Sequence, residues 1–412
     1  MIKYLTYGFF TFLLSWSCIN SFSQFPALLK GIVTNAETGD PLAYANIGIK
    51  NSPQGTITNQ QGRFVFRLSQ DSFHDTLVFS YLGFRTRSIA LKDIQPDSLK
   101  IDLQPIFYDI REVTKRSSSA LDILAKAIER IPMNYSGAGT GMTAFYRETI
   151  RENNRVIQMI EAVLGINKSS YSDHKDHDRM MILKGREKRN QDYTRLWHYV
   201  NFVDGPYEAI ESDVCKYTDR FITLPRTKYN FLNPRYFNSF DYQLIHPADN
   251  ETTDYYHIIF KPKPGQKKAV LEGNIFIDRQ TFAIIRLDYN INPYYVKRTS
   301  VIDYLTQSEL QEMDIYTQTE SFNCIVNYQR FRDKWYLRAV HINYEIILLW
   351  LNDRYLADIQ NSIQMVITDF DENLIYPINF WNPVRRKVPL DEQIDVADEE
   401  FWENYNYLLK EE

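Results

Sequence analysis

Apolar and polar positions alternate in short runs along the first hundred residues. Arg63-Phe64-Val65-Phe66-Arg67-Leu68 has the period of two of a strand with one buried face. Comparable runs cover Gly31 to Thr34, Leu42 to Ile49, Thr56 to Thr58, Thr76 to Tyr81 and Arg87 to Leu91. Gly39-Asp40-Pro41 and Asn59-Gln60-Gln61-Gly62 supply turn residues between them. Short strands at this spacing predict a β-sandwich over residues 28–105. The period then changes. Leu124, Ala127, Ile128 and Ile131 recur at helical spacing, Ser119 and Asp122 have capping-box spacing, and Pro132 ends the pattern. Lys115 to Ser119 is polar, so residues 106–135 read as a linker and an amphipathic helix between separable units.

Beyond Tyr135 the period of two returns in longer runs. Thr143 to Ile150 and Arg155 to Leu164 flank the turn Glu152-Asn153-Asn154. Tyr255 to Phe260 is another strand. Gly273 to Arg279 leads through Gln280-Thr281 into Phe282 to Tyr289. Cys324 to Phe331 and Trp335 to Tyr344 flank Arg332-Asp333-Lys334, and Ser362 to Asp369 closes the series. The fold class expected is mainly β. A sandwich is followed by a large curved antiparallel sheet over residues 136–412, wrapped on the helix as an α+β half-barrel.

Composition adds an address. Lys3 and the short apolar stretch Leu5 to Trp16, followed by Ser21-Phe22-Ser23, predict a signal peptide over residues 1–23. Acylation at Cys18 is the competing expectation, although Ser15 and Trp16 break the lipobox pattern. No later run is long and apolar enough for a transmembrane helix. Cys215 and Cys324 then remain, either as one disulfide or as two buried thiols. The net charge of -5, with both signs interspersed, argues against nucleic acid as a partner. With 29 Tyr and 25 Phe, the chain has either a large β-rich core or an aromatic-lined groove for glycan or lipid.

Several motifs occur together and in order. They are Gly31-Ile32-Val33, Gly39-Asp40-Pro41-Leu42, Ala45-Asn46-Ile47, Gly55-Thr56-Ile57-Thr58-Asn59, Gly62-Arg63-Phe64 and Ser80-Tyr81-Leu82-Gly83-Phe84. With them the first domain resembles the carboxypeptidase-regulatory-like domain, a transthyretin-like sandwich that also precedes many TonB-dependent receptors of Gram-negative bacteria. The resemblance is to an accessory domain and implies no peptidase. Three residues after the seven His stand Leu77, His177, Met180, Asn201, Asp249, Phe260 and Tyr344, so no His-x-x-Glu zinc pair exists. Gly273 to Tyr289 resembles a hairpin of the LolA/LolB-like carriers, whose half-barrel holds acyl chains. The helix with Asn134-Tyr135 and Phe145-Tyr146-Arg147-Glu148, and the closing Phe401-Trp402-Glu403-Asn404-Tyr405-Asn406, resemble envelope proteins that join the two units.

Candidate chemistry is sparse. His174 and His177, within Asp173 to Asp178, have metal-ligand spacing, but Lys175 and the basic run Lys184 to Arg189 oppose a cation, and a solvated loop is the plainer expectation. Arg385-Arg386-Lys387 suits anionic headgroups or a solvated turn. Ile284 and Leu287 are the candidate lining of an acyl cavity; a period of two puts them on opposite faces of their strand. No nucleophile elbow, phosphate loop or dinucleotide fingerprint is present, and no cofactor is expected. The chain reads as a non-enzymatic envelope protein of the periplasm or the periplasmic face of the outer membrane. It would bind or scaffold an apolar ligand, a lipid or an envelope protein. A hydrolase of glycan or lipid with an unrecognised site is the alternative.

Overall fold

The computed structural model describes residues 27–68, 75–94, 99–106, 117–173, 176–190, 205–218, 222, 227, 229–245, 254–302, 304–386, 388–394 and 399–405. The expected signal peptide, Cys18 and His174 lie outside the described residues.

The strands of the first domain are β1 (Ala27–Asn35), β2 (Asn46–Ile49), β3 (Gly55–Ile57), β4 (Arg63–Leu68), β5 (Thr76–Ser80), β6 (Arg87–Ala90) and β7 (Leu99–Leu103). They form two small sheets, ordered β4-β1-β7 and β3-β2-β5-β6. Val33, Phe64, Phe66, Leu77, Phe79 and Ile101 fill the space between them. The first six strands lie where the alternation places them. The seventh, which pairs parallel with β1, was not among those expected.

Helix α1 (Ser117–Glu129) buries Ala120, Leu124 and Ala127 and begins two residues before Ser119. Pro132 does more than end it. It lies in the first turn of a short second helix, α2 (Ile131–Asn134), where its missing N–H breaks no helical bond.

The second unit is built on β8 (Thr140–Glu152), β9 (Arg155–Lys168), β10 (Arg179–Arg189), β11 (Phe240–Ile245), β12 (Tyr255–Pro262), β13 (Leu271–Asp278), β14 (Ile284–Ile291), β15 (Ile315–Phe331), β16 (Lys334–Trp350) and β17 (Tyr355–Asp371). Among the described residues these form one open antiparallel sheet, ordered β10-β9-β8-β17-β16-β15-β14-β13-β12-β11. Helix α3 (Pro206–Glu211) packs on β16 and β17, and α1 on β11. Helices α4 (Tyr304–Glu312) and α5 (Glu399–Asn404) complete the described elements. No helix of the described residues is long and apolar enough to cross a membrane. The basic run at Lys184 to Arg189 is part of edge strand β10. Arg186 pairs with Glu161 at 2.5 Å, and Arg189 with Asp391. Charged side chains along an edge discourage pairing with another chain.

Burial differs along the sheet. Strand β13 alternates strictly between buried and half-buried positions, so one face is covered. Strands β8 and β9 are buried almost continuously, so both faces are covered. The register shows what covers each. Ala339, Val366, Phe145 and Val163 are direct partners across β16, β17, β8 and β9. This row packs against Tyr44 and Ile57 of the sandwich and Trp402 of α5. The next row, Val340, Met365, Tyr146 and Ala162, points the other way, into the main core with α1 and the segment around α3.

The sandwich is therefore docked on the sheet, and most of the expected linker, residues 107–116, lies outside the described residues. Arg338, 1% exposed, donates to Ile367 O of the sheet and to Ile47 O and Thr56 O of the sandwich. Burial lowers its guanidinium to about 9, against the opposing pull of Asp369. Gly55 makes this possible: a Cβ there would stand 2.9 Å from Arg338 Cζ. Tyr44 holds φ at 63° and sets its ring 4.0 Å from that of His341. Burial, then Arg286, lowers the His341 imidazole to about 3, which keeps the contact neutral.

A second polar group lies inside the main core. Lys168 donates to Asp178 at 2.7 Å and contacts Asp213 at 2.9 Å. Tyr171 and Tyr328 donate to Asp213 at 2.5 and 2.6 Å, and Tyr217 to Asp178 at 3.1 Å. Ser169 donates to Asp178 through both its amide and its hydroxyl. Burial alone would lower the Lys168 ammonium, but the two carboxylates more than reverse this and raise it. Burial would raise the Asp178 carboxyl; Lys168 and Ser169 outweigh it and hold it low.

Two outcomes follow from these contacts. Gly55→Ala is expected to destabilise the protein by about 1–3 kcal/mol through overpacking against Arg338. Gly48→Ala, whose Cβ meets only Gln54 O at 3.6 Å, should cost less, as read by urea denaturation. Equal effects would contradict the docking geometry. Asp178→Asn leaves Lys168 short of a counter-charge, so a loss of about 3–5 kcal/mol is expected at neutral pH. A depressed carboxyl contributes stability above its unfolded value of about 3.9 and loses it below. The wild-type advantage over Asp178→Asn should therefore shrink as pH falls below about 4. A constant gap would contradict the assignment.

Candidate functional site

The cysteines, the His pair and the buried charges offer little chemistry. Cys215 and Cys324 are free thiols, both buried. Burial raises Cys215 well above the ordinary thiol range and Cys324 to about 12, so neither is a ready nucleophile. His177 is exposed, its amide donating to Asp176 Oδ1 at 2.9 Å. No cluster of metal-binding side chains occurs among the described residues. Asp178 and Asp213, the closest thing to a carboxylate pair, are both occupied by Lys168 and tyrosines and are closed to solvent. Arg385 is exposed, while Arg386 pairs with Glu211 and lies 4.0 Å over the Tyr207 ring. Lys387 lies outside the described residues.

A large cleft lies elsewhere, at the β11–β14 end of the sheet. Its volume is about 1590 Å³. The loop after β12 forms one wall. Lys263-Pro264-Gly265-Gln266 is a tight turn: Gln266 N donates to Lys263 O at 3.2 Å, and Gly265 has φ of 82°. Proline then glycine at the central positions is what a type II turn requires. Thr227 Oγ1 donates to Lys268 O at 3.2 Å, and Tyr295 donates to Gln266 O, which ties the loop to both neighbouring segments. Asn292 N donates to Val270 O at 2.8 Å.

The charge in this cleft is one-sided. Lys261, Lys263, Lys267, Lys268 and Arg298 line it, against one carboxylate, Asp241. None of these five cations makes an ion pair among the described residues. Tyr229 and Tyr236 face each other with ring centroids 4.6 Å apart, and Tyr294 and Tyr295 meet edge to face at 4.9 Å. Tyr294 is 68% exposed, with Arg298 5.2 Å over its ring. Asn292, Gln266, Ser300 and Gln307 add uncharged polar groups. Among the described residues, no His or Cys lines the cleft. Such a surface can hold an anion and stack flat rings; it lacks the convergent acid and base that hydrolysis needs. None of these residues was singled out above. The signal was present as four lysines among the eight residues 261–268, interleaved with Pro and Gly.

Residues 29–114 match the family model of the CarboxypepD_reg-like domain, which is the docked sandwich. No curated protein matches the chain. A DUF1329 family protein from Desulfovibrio piger aligns over 64% of this chain and 96% of its own, at 11% identity and a TM-score of 0.25. A LolA superfamily protein from Nitrosomonas europaea aligns over 62% and 94%, at 10% identity and a TM-score of 0.21. A protein of unknown function from Bacteroides fragilis aligns over 83% and 97%, at 8% identity and a TM-score of 0.15.

Ile284 and Leu287 correct the expectation of opposite faces. Both are fully buried in the same core cluster. Phe276 pairs with Arg286, but Ile277 pairs with Ile284, so β14 carries one extra residue there. That β-bulge resets the alternation and turns both side chains inward. Neither lines the cleft. Ile284→Trp and Leu287→Trp are therefore expected to destabilise alike, by about 1–3 kcal/mol each from overpacking. Ile285→Trp, at a half-buried position, should be milder in the same denaturation assay. A well-tolerated Leu287→Trp would contradict the bulge.

Proposed function

We propose that this is a non-enzymatic, exported envelope protein that binds an acidic glycan in the cleft at the β11–β14 end of its sheet. One observation carries the reading: among the described residues, five cations that make no ion pair face one carboxylate, beside four tyrosines, in a chain whose net charge is -5. Carboxylate or phosphate groups on a sugar chain would meet Lys263, Lys267 and Lys268. The sugar rings would lie on the Tyr294 and Tyr229 faces, since a flat apolar ring with a polar tip suits a partly wet surface. The bound chain would be held and not cut, because the described residues of the cleft offer one carboxylate and no histidine. The CarboxypepD_reg-like sandwich supports the same reading: it braces the middle strands of the sheet, and none of its described residues lines the cleft. The expected signal peptide supports the envelope address.

Isothermal titration with oligogalacturonate, with neutral maltohexaose as control, tests this. Binding of the acidic oligomer alone is expected, weakening as salt rises. The Lys263→Glu, Lys267→Glu, Lys268→Glu variant should lose about tenfold or more in affinity, near 1.4 kcal/mol, with its melting temperature unchanged. Equal binding of the neutral oligomer, or tighter binding of a single-stranded oligonucleotide, would count against an acidic glycan.

A further inference from the structure

The segment after β17 carries the most exposed large apolar side chains of the described residues. Ile375 is 79% exposed, Phe380 83% and Trp381 87%. Their exposure does not come from a loose backbone. Tyr376 lies over Gly165, where a Cβ would stand 2.6 Å from its ring. Asn167 Nδ2 donates to Tyr376 O at 2.9 Å, and Tyr376 N donates to Asn167 Oδ1 at 2.8 Å. Arg179 Nη2 donates to Ile378 O at 3.0 Å. At the tip, Asn379 N donates to Asn382 Oδ1 at 2.8 Å, and Trp381 N to Asn379 Oδ1 at 2.7 Å. The Phe380 and Trp381 rings are thus held outward, edge to face at 5.1 Å, on a braced turn.

The local charge is as one-sided as the apolar tips. Between Glu372 and Asp391 the sequence has no acidic residue and three basic ones, Arg385, Arg386 and Lys387. Arg386 is drawn to Glu211, and Arg385 is exposed. We infer that residues 374–386 form a membrane-docking loop, which inserts Ile375, Phe380 and Trp381 into the surface of an anionic bilayer. The tips protrude, so they need a medium that parts around them and not a pocket of matching shape. Indole and phenyl rings beside arginines suit the headgroup level, where apolar bodies go in and cations meet lipid phosphates. Pre-ordering the turn removes much of the entropy loss on insertion.

Flotation with vesicles tests this on the full chain. Wild type is expected to float with vesicles of phosphatidylethanolamine and phosphatidylglycerol, and less with phosphatidylcholine alone. The Phe380→Ser, Trp381→Ser variant should keep its melting temperature and lose about tenfold or more in vesicle affinity. A Phe380→Leu, Trp381→Leu variant should retain most of it. Arg385→Glu should weaken binding to the anionic vesicles only. Oligogalacturonate affinity should be unchanged in the serine variant, so failure here would leave the cleft reading standing. Wild type that stays at the bottom with both lipids, or a serine variant that floats as well as wild type, would overturn the inference. So would wild-type self-association that the serine variant abolishes, which would assign the loop to a second copy.

Discussion

The architecture depends on one constraint: the middle of the large sheet is buried on both faces. Phe145, Val163, Ala339 and Val366 form one row across four strands, and Tyr146, Ala162, Val340 and Met365 form the next, facing the other way. Each row needs a cover. Helix α1 and the segment around α3 close one side, and the sandwich with α5 closes the other. A sheet buried on both faces with no polar row left bare is a rigid platform. Arg338 then fixes where the sandwich sits, because its guanidinium needs the carbonyls of both units. The Lys168 group fixes the inner side in the same way, with ions matched so closely that no substrate is left a place.

Away from the middle, the same sheet is covered on one face only. Strand β13 alternates strictly, and the loop between β12 and β13 lines the cleft without any sandwich residue. This is where an extended polar cleft can form without exposing the core. A rigid platform with a basic, tyrosine-lined edge suits binding more than turnover, since a held ligand needs fixed contacts and a reacting one needs an acid, a base or a nucleophile as well. The braced 374–386 segment lies on another connection, after β17, so the two surfaces engage different partners through different loops.

Much of this was legible in the sequence, and the gaps have physical reasons. Alternation located β1 to β6 and most of the large sheet because each strand has at least one consistently apolar face. Helix α1 was legible from Leu124, Ala127, Ile128 and Ile131. Strand β10 was not, because the edge charges of Lys184 to Arg189 hide its alternation. Ile284 and Leu287 were assigned opposite faces because a one-residue bulge leaves no mark in a period of two. The cleft was missed because its residues come from separate segments around 229–241, 261–270 and 292–307, and only the lysines of residues 261–268 announce themselves locally. Docking of the sandwich was also hidden: it rests on Gly55 and Arg338, nearly three hundred residues apart.

Amide hydrogen exchange, with and without bound oligogalacturonate, tests the central claim most directly, that a rigid two-faced platform presents a binding edge. In the free protein the amides of β8, β9, β16 and β17 should be the slowest to exchange, opening only with global unfolding. On adding the ligand, new protection should appear in residues 229–241, 261–270 and 292–300 and leave the central strands unchanged. Fast exchange in β8 and β17 of the free protein, or ligand protection centred on the sandwich, would contradict the account.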